Sequence, residues 1–299
     1  MVALFVRVSA GTQNLLGLKS IKVDAPMHMA YLMISRGQCD YDCSYCAQAR
    51  AAQSKRDRLS RVVWPEYDFS EVLDALENSH DQVKRLCLQV TSNKQSKEDA
   101  LRVVKALGSA HFPVSISVRP ESLKEVEEFM HSGAERVGIA VDAVEEDLFL
   151  RIRGGSLKRH LDLLCEAASQ FPGKITTHAI VGIGETDRSL VDFFVDCYFW
   201  GIKVGLFSFT PVRGTGMSDH LQPSLERYRR VQLARFLIEE DVGNTELLEF
   251  DTSENLVGTE SLFSDNSTLS KALLTSGCPD CTRPFYNERP GHVMFNVFT

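Results

Sequence analysis

Arg85-Leu86-Cys87-Leu88-Gln89-Val90 alternates strictly: in an extended strand Leu86, Leu88 and Val90 share one face while Arg85, Cys87 and Gln89 share the other. The same division recurs further along. Val114, Ile116 and Val118 oppose Ser115, Ser117 and Arg119; Val137, Ile139 and Val141 oppose Gly138, Ala140 and Asp142. A doubly wound sheet is covered by helices on both faces and reads apolar on both. One greasy face and one small or polar face predict instead a curved sheet with helices outside and a cavity inside.

Outward from these strands, runs of strand type at 30–36, 85–90, 113–118, 136–142, 174–182 and 203–210 alternate with helical periods near 69–78, 96–109, 121–132, 156–170 and 187–200. Such alternation predicts parallel strands with right-handed crossovers. The expected fold class is α/β: a partial (β/α)6 barrel of parallel strands with helices outside, plus a C-terminal extension. The expected organisation is an N-terminal segment 1–29, the barrel 30–241 including a last helix at 222–241, and an extension 242–299. The extension carries a CxxC and is expected to fold back on the barrel mouth.

The chain has 299 residues, 43% of them hydrophobic, and a formal net charge of −7. This balance argues against nucleic acid as the main partner, because phosphate binding needs a concentrated excess of Lys and Arg. The apolar run Met1–Val6 is too short for a signal-peptide core and nothing later reaches membrane-spanning length, so a cytoplasmic location without a membrane partner is expected. In that setting eight cysteines are not a disulfide framework.

Their spacing points to metal. Cys39-x-x-x-Cys43-x-x-Cys46 follows the first parallel strand, and loops at the carboxyl ends of barrel strands build active sites. Three thiolates can hold three irons of a 4Fe–4S cluster and leave the fourth open for catalysis. A zinc site pairing Cys43-x-x-Cys46 with Cys278-x-x-Cys281 is the structural alternative, but it leaves Cys39 unused. A thioredoxin-like dithiol fits less well, because neither CxxC clearly opens a helix after a strand. Cys165 and Cys197 fall at helical spacing with apolar neighbours and read as core, and Cys87 reads equally as a packed small hydrophobe or a ligand.

Cys39-Asp40-Tyr41-Asp42-Cys43-Ser44-Tyr45-Cys46 resembles the signature loop of radical-SAM enzymes, including the aromatic before the last cysteine. Ile180-Val181-Gly182-Ile183-Gly184-Glu185-Thr186 and Phe207-Ser208-Phe209-Thr210-Pro211 resemble strand ends of biotin synthases, so the resemblance runs to about Thr215. It implies that Cys39, Cys43 and Cys46 hold a 4Fe–4S cluster that cleaves S-adenosyl-L-methionine. It further implies cofactor contacts by Tyr45 (backbone to adenine), Ile180 (packing on adenine), Asp142 (a ribose hydroxyl) and Glu185, which at the head of a helix orders its turn. Arg85 and Arg119 fall on the cavity face of their strands and are candidates for a carboxylate of methionine or of substrate, with structural ion pairing as the alternative for either.

Departures from that pattern matter. His178 stands for a glycine of the strand motif, and its alternatives are a buried hydrogen-bonded ring or a catalytic or ligand role. Gln89-Val90-Thr91 replaces the glycine-rich stretch that holds the methionine amino group, leaving Thr91 or carbonyls to substitute. Of the three cysteines that hold biotin synthase's second cluster, only Cys87 has a counterpart; Ser117 and His178 stand near the others. The tail Gly277-Cys278-Pro279-Asp280-Cys281-Thr282-Arg283-Pro284-Phe285-Tyr286-Asn287-Glu288-Arg289-Pro290-Gly291 resembles instead the two-protein type of lipoyl synthase. That likeness implies a second 4Fe–4S cluster as sulfur source, with Cys278 and Cys281 as ligands and Cys87 or an oxygen as a third. The implied partners are an octanoylated lipoyl domain or glycine-cleavage H protein, a sister radical-SAM protein and a reducing electron donor. A rearranging or methylating enzyme of biotin-synthase type without a sulfur-donor cluster is one alternative; a structural or electron-carrying protein is the other.

Overall fold

The structure, a computed structural model, describes residues 3–25, 27–258, 270–283 and 291–297. All but the last residue of the polar stretch 259–270, and the Pro284–Pro290 part of the tail motif, lie outside the described residues. The chain forms two compact units. One comprises the chain to Ala140 with Val212–Ser218 and Cys278–Thr282; the other comprises Val141–Pro211 and the described parts of 219–277 and 283–297.

The first unit runs β1 (Phe5–Val8), α1 (Ala10–Leu15), β2 (Met29–Ile34), a small hairpin β3 (Arg58–Leu59) and β4 (Val62–Val63), β5 (Glu66–Asp68), α2 (Phe69–Asn78), β6 (Arg85–Val90), α3 (Lys94–Ser109), β7 (Val114–Val118), α4 (Leu123–His131) and β8 (Arg136–Ile139). β2, β6, β7 and β8 are neighbours in that order and all parallel, as strand–helix–strand units require. Leu86 and Leu88 are fully buried, while Cys87 and Gln89 on the opposite face stay partly exposed, which is the alternation the sequence carries. Helix α3 covers its side with Ala100, Val103, Val104 and Leu107 at helical spacing, and Asn93 caps it by accepting from Ser96 N–H at 2.8 Å.

Two features lie outside the expected pattern. β1 pairs antiparallel with β2 (Arg7 opposite Met33) and β5 pairs antiparallel with β1, so the expected N-terminal segment contributes a strand. The expected strand 136–142 ends at Ile139; Asp142 has a left-handed φ of 61°, which turns the chain out of extended geometry.

The second unit holds α5 (Glu146–Ile152), α6 (Leu157–Gln170), β9 (Ile175–Val181), α7 (Asp187–Phe199), β10 (Lys203–Ser208), α8 (Leu225–Glu240), a 3-10 turn at Val242–Leu247, and the short pair β11 (Glu249–Phe250) and β12 (Leu256–Val257). β9 and β10 are parallel and in continuous register from Lys203 opposite Thr176 to Ser208 opposite Val181. Cys197 is buried with Leu190, Phe193 and Phe194 on α7, as a core residue, and Cys165 on α6 is partly exposed.

Candidate functional site

The loop after β2 carries Cys39, Cys43 and Cys46, all partly exposed and in no disulfide. Its entry is pinned from α3: Asn93 donates to the carbonyls of Arg36 at 2.7 Å and Gln38 at 3.0 Å, and Asp40 N–H reaches Ser92 O at 2.7 Å. Its exit is pinned by turns, Cys46 N–H to Cys43 O at 2.9 Å and Ala49 N–H to Cys46 O at 3.1 Å, and by Met217 N–H donating to Ser44 O at 3.0 Å. Donors are directed at sulfur. Gln48 N–H lies 3.4 Å from Cys46 Sγ, and Arg119 Nη1 lies 3.8 Å from Cys43 Sγ with its guanidinium 3.8 Å over the Tyr41 ring. Removal from water, and then a hydrogen bond to Glu121, push the Tyr41 phenol up to about 12 against the opposing charge of Arg119.

Three soft thiol donors on one braced loop, with N–H donors and a cation facing their sulfurs, fit an iron–sulfur cluster. Among the described residues no three His, Cys, Asp or Glu side chains converge as a single metal ion requires. In a cubane each thiolate takes a different iron, so convergence on one point is not required.

A second group of sulfurs gathers around Tyr31 in the same unit. Parallel register sets Tyr31 of β2 beside Cys87 of β6, and Gln89 Nε2 donates to Cys87 Sγ at 2.9 Å. The tail CxxC comes to the same phenol: Tyr31 Oη lies 3.7 Å from Cys281 Sγ and accepts Thr282 N–H at 3.0 Å. Burial raises the Tyr31 phenol well above its ordinary value, and Cys281 and then Cys87 push in the same direction. Cys278 and Cys281 are both partly exposed. Nothing in the sequence pattern singles out Tyr31.

Two candidates are committed elsewhere. Arg85 grips Glu135 through Nη2 at 3.0 and 3.1 Å and donates to Ser115 at 3.2 Å, so it is a structural ion pair and not a carboxylate receptor. The Thr91 hydroxyl is buried between Ile34 O at 3.3 Å and Ser96 Oγ at 3.0 Å, which rules it out as a stand-in donor for the methionine amino group.

In the second unit, Asp142 is stitched to β9: its N–H donates to His178 O at 2.8 Å and its carbonyl accepts Ile180 N–H at 3.0 Å. Two of the sequence-predicted cofactor residues, Asp142 and Ile180, are thereby brought together. The Asp142 carboxylate is paired with the buried Arg153 guanidinium, a partner no motif announces. His178 sits edge-on to Phe207 with ring centroids 5.1 Å apart, and a Cβ on Gly205 would lie 2.9 Å from its Cδ2, so a side chain there would have to displace the ring. Loss of water brings the imidazole down to about 4, with Asp142 opposing and Arg283 and Arg153 assisting. The Arg283 guanidinium stacks 3.8 Å over Phe207 and donates to Leu206 O at 3.1 Å.

The Glu185 carboxylate receives backbone N–H groups of Gly182 at 2.7 Å, Ile183 at 2.9 Å and Gly184 at 3.1 Å, plus Arg227 Nη2 at 2.8 Å. Thr186 caps α7 by accepting from Ser189 N–H at 3.1 Å. Glu185 therefore organises the turn, the role its position at the helix head predicts. Gly182 has φ 98°, and a Cβ there would meet Pro223 Cδ at 2.6 Å.

Together these features define an α/β protein that presents a braced three-cysteine loop at the carboxyl end of a parallel strand. Residues 33–197, more than half of the chain, match the Radical SAM superfamily, and the chain belongs to it. A biotin synthase of Cutibacterium acnes (strain DSM 16379 / KPA171202) is 25% identical over 71% of this chain and 61% of that protein, which supports the biotin-synthase-like grouping. This chain thus spans less than two thirds of that relative. Among solved structures, the FeFe-hydrogenase maturase HydG from Carboxydothermus hydrogenoformans has TM-score 0.56 at 15% identity, covering 71% of this chain and 51% of its own. Streptococcus suis SuiB has TM-score 0.54 at 13% identity, covering 75% and 47%. At such identities the likeness carries the fold alone, and that fold is the expected α/β partial barrel. Family membership makes the chain a radical-SAM enzyme that uses a 4Fe–4S cluster and S-adenosyl-L-methionine. Among the described residues no helix is long and apolar enough to cross a membrane.

Proposed function

We propose that the chain is a sulfur-inserting, lipoyl synthase-like enzyme. It adds sulfur to an octanoyl chain carried on a lysine of a lipoyl domain or glycine-cleavage H protein, with a second 4Fe–4S cluster as sulfur source. The observation that carries this reading is the meeting of Cys281 with Tyr31, the register partner of Cys87: a second set of sulfur donors apart from the Cys39 loop. Cys278 and Cys281 hold the second cluster, with Cys87 as third ligand.

When bound, the first cluster and S-adenosyl-L-methionine supply a carbon radical that takes hydrogen from an unactivated chain. The protein's own part is to hold and orient. Cys39, Cys43 and Cys46 hold the first cluster, and Arg119 sets a positive charge beside Cys43. In the second unit Ile180 would pack on the adenine and Asp142 would take a ribose hydroxyl with the lone pairs Arg153 leaves over, while Glu185 keeps its turn in shape. A reducing electron donor is required, and a sister radical-SAM protein performs the other of two insertions if the type works as a pair.

The test is iron and acid-labile sulfide per chain after anaerobic reconstitution, for wild type and Cys278→Ala/Cys281→Ala. About eight irons falling to about four supports two clusters, at four irons per cubane. Sulfur must then appear in an octanoylated carrier peptide in step with deoxyadenosine. About four irons in both proteins sinks the sulfur-donor reading. That result favours a rearranging or methylating enzyme with a biotin-synthase-like core and no sulfur-donor cluster.

A further inference from the structure

We infer that Tyr31 is a positioning residue of the second sulfur-donor site: its phenol donates a hydrogen bond to the Cys281 sulfur and thereby sets the reduction potential of whatever cluster that sulfur holds. The inference deepens the proposed function and rests on it. Three observations carry it, all within one unit. First, Tyr31 is the parallel register partner of Cys87, so the phenol and that thiol leave adjacent strands at the same level. Second, Tyr31 Oη lies 3.7 Å from Cys281 Sγ, across 250 residues of sequence. Third, the phenol oxygen already accepts Thr282 N–H at 3.0 Å, from the residue that follows Cys281.

The direction of the bond follows from the inventory of donors. A thiolate that ligates iron has lone pairs and no proton, so it can only accept. The Tyr31 oxygen takes the Thr282 N–H, and its hydroxyl lies 3.7 Å from the sulfur, to which it is the partner that can donate once that sulfur is a thiolate. Tyr31 is 3% exposed, so water does not compete well for that hydrogen. The same side chain fastens both the sulfur of Cys281 and the backbone just after it. The tail ligand is thus oriented by a residue of the barrel strand and not by the tail alone.

Hydrogen bonds to ligating sulfur tune iron–sulfur potentials, because a donor stabilises the more negative, reduced cluster. Removing the phenol hydroxyl must lower the potential of the second cluster and leave the first cluster's potential where it was. A role confined to packing would move neither.

The experiment is an EPR-monitored redox titration of reconstituted holoenzyme for wild type, Tyr31→Phe and Cys278→Ala/Cys281→Ala, with iron counted on each. The double alanine variant identifies the first cluster's signal. The expected result is two clusters in wild type and Tyr31→Phe, with only the second potential shifted, to a more negative value. Two unchanged potentials, or equal shifts of both, overturn the inference while the sulfur-donor reading stands. One cluster in wild type overturns that reading and this inference with it. If Tyr31→Phe fails to retain the second cluster, Tyr31→3-fluorotyrosine decides: a stronger donor must raise that potential, and no rise overturns the inference.

Discussion

Replacing His178 with glutamine should flatten the acid side of the protein's stability curve. The imidazole stands at about 4 in the fold against an ordinary value of 6.5, chiefly because it has lost its water. The fold therefore holds the neutral ring. Between pH 6.5 and about 4 the unfolded chain binds a proton that the native state refuses, so stability falls as pH falls through that window. One pH unit of displacement is about 1.4 kcal/mol, so the full effect is about 3 kcal/mol, and the part lost between pH 7 and pH 5 is about 2 kcal/mol. For a chain of this size that is a drop in melting temperature on the order of 4 °C. Glutamine keeps a neutral polar side chain and removes the titration. Melting temperatures of wild type and His178→Gln at pH 7, 6 and 5 cancel the contribution of every other titrating group. The wild type should lose about 2 kcal/mol more than the variant over that range. Curves that stay parallel from pH 7 to pH 5 would refute the reasoning, because they would mean that the ring titrates alike in both states.

Asp142→Asn keeps a residue that tolerates the left-handed φ of 61° but strips Arg153 of its buried partner, so unfolding free energy should fall by about 3–5 kcal/mol in denaturant titration. The same variant removes the charge that holds His178 up, so the acid-sensitive window should reach to lower pH. Arg283 is buried, its Nε has no hydrogen-bond partner, and among the described residues it makes no ion pair. Arg283→Met should therefore leave the melting temperature unchanged or raised, whereas Arg153→Met should lower it; a loss of more than about 1 kcal/mol in the former would contradict this account. Substituting Cys39, Cys43 and Cys46 together by alanine should remove about four irons per chain and abolish deoxyadenosine formation, read by iron assay and chromatography.

The six parallel strands were legible as short runs of strand type between helical periods, and three of them, β6, β7 and β8, also through apolar residues alternating with small or polar ones. Phe5–Val8 has only two inward residues, Val6 and Val8, and its neighbour β5 is three residues with charges at both ends. Those strands exist because a partner edge is available, which no local pattern announces. The cysteine loop was legible through spacing, and Glu185 through its position before a capped helix. Arg153 was not, because its role depends on Asp142 leaving the strand with positive φ, a choice that competes with the Val141–Asp142 continuation of the alternating run. Tyr31 marks the deeper limit. Alternation tells which face of a strand a residue occupies, but parallel register decides which residue of the next strand stands beside it. The pairing of Tyr31 with Cys87, and the return of Cys281 to the same phenol across 250 residues, are facts of register and tail docking. A cysteine that reads equally as core or ligand in sequence is thus weighted toward ligand only once its neighbours are known. That is why Cys87 needed the fold, while Cys39, Cys43 and Cys46 did not.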